Sequence, residues 1–146
     1  MKVDEIMTPR AVSCRRDTSL RDVARLMCDN DCGAIPVLDA SGFAVGVVTD
    51  RDIVCRTVAQ GRDALRTTAG ECMSGEAITV GPDASVDEAR RVLEKNQIRR
   101  LIVADHTGRC VGMLSQADIA RRASPADTGQ LVREVSKQSH PVATTH

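Results

Sequence analysis

The sequence predicts a mixed α/β (α+β) fold: two copies of one β-α-β-β-α unit packed with pseudo-two-fold symmetry. Three observations predict it. "GVVTDRDI" at residues 46–53 returns as "GMLSQADI" at 112–119, with Gly, an apolar pair, a hydroxyl, Asp and Ile in the same order. Sliding residues 3–58 by 66 positions onto 69–124 needs no gap and matches 15 of 56 positions, including Met7/Met73, Gly42/Gly108, Gly46/Gly112 and Asp52/Asp118. Within each copy, short β-rich runs alternate with apolar stripes of helical period. Stacked solenoids repeat every roughly 20–50 residues; the longer spacing here points instead to two units packed on each other. The chain divides into repeat 1 (1–60), a linker (61–68), repeat 2 (69–124) and a C-terminal helix and tail (125–146).

The elements follow in order. Each copy opens on an extended stretch, "AVSC" (11–14) or "AITV" (77–80). Helices are predicted near 19–30 and 85–96. Leu20, Val23, Ala24 and Met27 recur at i, i+3, i+4 and i+7, and Val86, Ala89 and Leu93 repeat the stripe. Ser85 with Glu88 has the spacing of a capping box, and Ser19 with Asp22 is a weaker version. Two strands come next, "AIPVLD" (34–39) with "AVGVVT" (44–49), and "RLIVAD" (100–105) with "CVGMLS" (110–115). Ser41-Gly42 and Thr107-Gly108 close them into hairpins. A second helix starts at "DRDIVCRTVAQ" (50–60) and at "QADIARRA" (116–123). In the tail, Thr128 is placed to cap a short helix with Leu131, Val132 and Val135 on one face.

Composition narrows the function classes. Lys plus Arg equals Asp plus Glu at 20 each, with no run of one sign, so nothing marks a nucleic-acid or acidic-membrane surface. Phe43 is the sole aromatic residue, which argues against base stacking of single strands. No stretch resembles a signal core or a membrane span, and a cytoplasmic location is expected. Six cysteines, at 14, 28, 32, 55, 72 and 110, fit no zinc spacing. They are expected to be small buried or half-buried thiols, with a thiol redox switch as an alternative. His106, His140 and His146 form no pair placed for catalysis or metal ligation, and neither a Walker loop nor a dinucleotide fingerprint is present, so no enzyme and no required cofactor are expected.

The chemistry concentrates where the last strand of each copy becomes a helix. Thr49 with Asp52, and Ser115 with Asp118, have helix-cap spacing. The same residues suit a nucleoside. Unpaired N–H groups at a helix start favour phosphate, and a carboxylate can accept both hydroxyls of a ribose diol. The neighbouring apolar strands, with Ile35, Pro36 and Ile102, offer a slot for a base. Ser13 and Thr79, matched hydroxyls of the opening strands, join the candidate contacts.

The order of strand, helix, "GAIPVLDASGFAVGVVTDRDIV" and "RRLIVADHTGRCVGMLSQADIA" resembles a tandem pair of cystathionine-β-synthase (CBS) domains, a stand-alone Bateman module. The resemblance covers residues 3–124. It implies regulation: binding of AMP, ADP, ATP, NAD or S-adenosylmethionine in clefts built across both copies, with Asp52 and Asp118 holding ribose beside Thr49 and Ser115. It also implies basic residues at the phosphates, here Arg99 and Arg100 in "QIRRLIV" and Arg51 in "TDRD". Such pairs form homodimers, so the second-helix surface around Ile53, Val54 and Ile119 is expected to be covered by another copy. A regulated protein partner is implied too. An interaction or dimerisation module with empty clefts is the alternative reading.

Overall fold

The computed structural model describes residues 1–74 and 77–122; the tail helix expected beyond 125 lies outside them. After a 3-10 turn at Val3–Glu5, the elements are β1 (Thr8–Pro9), α1 (Leu20–Asn30), β2 (Ala34–Leu38), β3 (Ala44–Thr49), α2 (Asp50–Ile53) continued by a π-helical turn at Val54–Val58, α3 (Ala69–Cys72), β4 (Thr79–Val80), α4 (Val86–Asn96), β5 (Arg100–Ala104), β6 (Cys110–Ser115) and α5 (Gln116–Arg122).

The long helices α1 and α4 start where the hydroxyls predict. Ser19 Oγ accepts from the Asp22 N–H at 3.2 Å, and Ser85 Oγ accepts from the Glu88 N–H at 3.0 Å. Both end on a left-handed residue, Asp31 (φ 48) and Gln97 (φ 53), which stops the helix before the following strand. Each hairpin turns on an Asp whose carboxylate accepts backbone N–H groups. Asp39 Oδ1 takes Ser41 N at 2.9 Å, and Asp105 Oδ1 takes Thr107 N at 2.9 Å. Gly42 and Gly108 supply the positive φ of 88 and 96 that a side chain resists.

The strands assemble as a four-stranded sheet, β1-β6-β5-β4, and a two-stranded sheet, β2-β3. Isolated bridges complete the second sheet's likeness to the first. Thr8 pairs with Met113, and Ser74 bridges Val47. Val80 pairs parallel with Val103, and Cys14 bridges Val37 in parallel. Each contact repeats its counterpart at the 66-residue offset, so the two copies are related by a pseudo-two-fold axis. The leading segment of each copy therefore pairs with the last strand of the other.

The two cores share this exchange. Val3 and Ile6 pack with Leu93, Leu101, Leu114 and Ile119 of the second copy, and Ala69 and Cys72 pack with Leu20, Val23, Ile35 and Val48 of the first. Gly46 and Gly112 let the segments pass. A Cβ on Gly112 would stand 2.6 Å from the Thr8 carbonyl oxygen, and one on Gly46 would stand 2.9 Å from that of Ser74.

Three expectations are corrected. "AVSC" forms no strand, only the bridge at Cys14, because its ladder to β2 is confined to that residue: Cys14 N–H donates to the Pro36 carbonyl at 3.0 Å and Leu38 N–H to the Cys14 carbonyl at 2.8 Å. The second helix of the first copy is α-helical only to Ile53 and then widens into a π turn. Ile119 is fully buried, so it does not face outward; among the described residues the exposed large apolar side chains are Met1, Phe43, Val54, Val58 and Leu65.

Candidate functional site

A cleft of about 600 Å³ opens between the copies, a size that suits small ligands. Its walls come from five places. The leading segment supplies Thr8 and Arg10–Val12, the end of α1 supplies Asn30–Ala34, Arg99 and Arg100 precede and open β5, Met113–Ser115 end β6, and α5 contributes Gln116, Ala117, Asp118 and Arg121. Neither copy alone would form it, because Arg10 reaches the cleft only through the exchanged strand pairing: its N–H donates to the Val111 carbonyl at 3.2 Å.

The Ser115–Asp118 motif sits on the floor as a reciprocal cap. Ser115 Oγ accepts from the Asp118 N–H at 3.1 Å, and Asp118 Oδ2 accepts from the Ser115 N–H at 2.8 Å. Its second oxygen, Oδ1, accepts from Arg121 Nη2 at 2.6 Å. The Asp118 side chain is 9% exposed and that of Arg121 is 73% exposed. Thr49 and Asp52 build the same cap in the first copy, at 3.1 and 2.9 Å. There the position matching Arg121 is Cys55, and Asp52 forms no ion pair among the described residues.

Charge gathers on one side. Arg10, Arg99, Arg100 and Arg121 line the cleft against Asp31 and Asp118. Arg100 lies over Gly33, where a Cβ would stand 3.1 Å from its Nη2 and 3.0 Å from Asp50 Oδ2; the absent side chain makes room for both. Cys32 is part of the wall, and burial raises its thiol pKa, against a smaller lowering by the Ala34 backbone and the Arg100 charge. Gln116 Oε1 is buried and accepts no hydrogen bond among the described residues. Such an orphaned acceptor carries a desolvation cost of about 1–3 kcal/mol until a donor arrives.

Of the residues expected from sequence, the cleft brings together Ser115, Asp118, Arg99 and Arg100. Thr49 and Asp52 stand half-buried at the matching place in the first copy, with Arg51 exposed beside them. Ile35, Pro36 and Ile102 are buried within their strands, Ser13 is half-buried and Thr79 exposed, and none of these five lines this cleft. The other lining residues, among them Arg121, Arg10 and Gln116, were not sequence candidates. Arg121 had a signal, its i+3 spacing from Asp118. Arg10 and Gln116 had none, since one depends on strand exchange and the other on an unpaired buried atom. Among the described residues, no three His, Cys, Asp or Glu converge as a metal site, and no helix is long and apolar enough to cross a membrane.

Comparison with known proteins follows the same outline. The family model described as the CBS domain matches residues 3–56 and again 69–124. The CBS domain-containing protein YhcV of Bacillus subtilis is 34% identical over 138 residues, covering 94% of this chain and 96% of that one. Among solved structures, Hypoxic Response Protein I with two coordinated zinc ions superposes with a TM-score of 0.77 at 32% identity, covering 85% of this chain and all of that one. The CBS domain pair of MJ0100 in complex with 5′-methylthioadenosine and S-adenosyl-L-methionine gives 0.75 at 26% identity, over 83% and 94% of the two chains. CBSX2 in complex with AMP gives 0.71 at 26%, over 82% and 93%.

Proposed function

The chain belongs to the CBS-domain family, and on that premise we propose that it is a regulatory, non-enzymatic module that binds an adenosine-type ligand in the Asp118 cleft and passes the occupancy on through a change of shape. The observation that carries this reading is one cleft in which Asp118, four arginines and the orphaned Gln116 oxygen converge. Each has a task in a nucleoside phosphate. Asp118 accepts from ribose hydroxyls, the arginine forks take phosphate oxygens, and Gln116 accepts from an amine or hydroxyl. Two structural neighbours, in complex with AMP and with S-adenosyl-L-methionine, support the ligand class.

Binding without turnover suits the side chains present. Among the described residues Cys32 is the one thiol on the lining, and burial raises its pKa. A shape change has a ready route, because the cleft walls belong to both copies and a ligand that joins them shifts one copy against the other. AMP, ADP and ATP fit the charge best, with NAD and S-adenosylmethionine as further members of the class. Thr49 and Asp52 are proposed as a second site, with Gly33 and Ala34 at the sequence positions that match Arg99 and Arg100. The six free cysteines suit a reducing, cytoplasmic setting.

Calorimetry with these five compounds tests the reading. Micromolar-class binding of at least one is expected; no heat and no thermal shift with any would overturn it. A second reading, an interaction module working with empty clefts, is favoured by one observation, the exposure of Val54, Val58 and Leu65 at 55, 70 and 60%. A regulated partner protein is common to both.

A further inference from the structure

We infer that Arg121 is a specificity-determining residue of the Asp118 cleft: it holds the ribose acid in an internal ion pair that an anionic ligand releases and a neutral one does not. The inference rests on the adenosine-binding reading above and adds the ligand's charge to it. Asp118 Oδ2 is turned to the Ser115 N–H at 2.8 Å. The oxygen left for a sugar is Oδ1, and Arg121 Nη2 already donates to it at 2.6 Å. A ribose diol must therefore share or displace the guanidinium.

Displacement has an asymmetric cost. Asp118 is almost wholly buried, so solvent screens its charge little, while the Arg121 side chain is mostly exposed and free to swing. Arg121 also lines the cleft together with Arg10, Arg99 and Arg100. When a phosphate enters, the swung guanidinium gains a second anion in place of the one it gives up. Adenosine offers none, and a cationic adenosine derivative adds repulsion. The ion pair thus works against neutral and cationic ligands and is compensated only by anionic ones. The first copy is built otherwise. Cys55 stands at the matching position, and Asp52 has no ion pair among the described residues. Of the two ribose acids, only Asp118 carries this device.

The test is the ratio of AMP to adenosine affinity at the Asp118 cleft, read by calorimetry on an Asp52→Ala background. Arg121→Ala is expected to lower that ratio by about tenfold to a hundredfold, the worth of one charge-assisted hydrogen bond. The change should come from weaker AMP binding and from adenosine binding that is equal or tighter. Arg121→Gln keeps the stem and some hydrogen bonding but not the charge, and should give the same collapse in a chain that melts near the parent. Arg122→Ala removes an equal charge from the next, exposed position of α5 and should leave the ratio within about twofold. A ratio unmoved by Arg121→Ala, or moved equally by Arg122→Ala, overturns the inference while leaving adenosine binding intact. A parent chain that binds neither AMP nor adenosine overturns both readings.

Discussion

Asp52 and Asp118 each serve the backbone before they serve any ligand. Their cap bonds fasten the last strand of each copy to the following helix, so a truncation removes a cap as well as the proposed ligand contact. Asp118→Ala is expected to cost about 0.5–2 kcal/mol of stability and at least tenfold in nucleotide affinity. Asp118→Asn keeps an acceptor for the Ser115 N–H, so it should melt close to the parent and still bind nucleotide weakly. Melting temperature and calorimetry on the two variants separate the roles. Cysteine chemistry is also decided residue by residue. Burial pushes the Cys14 thiol from 9.0 up to about 11. The folded state thus holds this proton more tightly than the unfolded state. The stability linked to it is complete below about pH 9 and is lost as pH rises towards 11. Melting curves between pH 8 and 11 should show that decline, and Cys14→Ala should make it shallower, with Cys32 and Cys110, also raised by burial, supplying the remainder. Alkylation at neutral pH should mark the exposed Cys28 and Cys55 and spare the buried Cys14 and Cys72. Rapid labelling of Cys14 in the folded chain would contradict its buried place.

At the scale of elements, the exchange of leading segments is the feature on which the cleft depends. β1 reaches β6 only because Gly112 presents no Cβ; an added methyl would meet the Thr8 carbonyl oxygen at 2.6 Å and the Met7 sulfur at 2.9 Å. Gly112→Ala is expected to destabilise by about 1–3 kcal/mol, as overpacking does. It should also loosen Arg10 from the cleft and weaken nucleotide binding. Gly46→Ala meets a movable Met73 sulfur first, at 2.7 Å, and the Ser74 carbonyl oxygen at 2.9 Å. It should cost less, and paired thermal melts order the two. The hairpins and the capped helices were legible in sequence, because turn glycines, Asp and Ser act within four residues of one another. The two-residue strand β1 was not, since a pair of residues carries no periodicity and its partner lies about a hundred residues away.

For the molecule as a whole, an apolar surface remains on the π turn, where Val54 and Val58 are 55 and 70% exposed. We expect a second copy to cover it, as contiguous apolar surface on a small protein commonly marks an interface. Light scattering should give twice the chain mass, and Val58→Asp should return the monomer without a loss of melting temperature. A monomer mass for the parent chain would show that this surface stays bare. Whether dimer formation and ligand occupancy are linked can be read from the same instrument: nucleotide should change the apparent mass at dilute concentration if α2 carries the signal outward.

The sequence by itself determined the doubled unit, its α/β character, the two capped acids and the arginines at the start of β5. These are fixed by contacts between near neighbours, or by a repeat that any reader of the chain can align. Tertiary structure alone decided that each leading segment serves the other copy's sheet and core, that Ile35 and Ile102 point into packing, and that Arg10, Gln116 and Arg121 meet around Asp118. The physical reason is distance along the chain. A cap or a turn is settled within one helical turn, but a cleft wall is settled by which surfaces must be buried together, and burial joins residues that sequence order keeps apart.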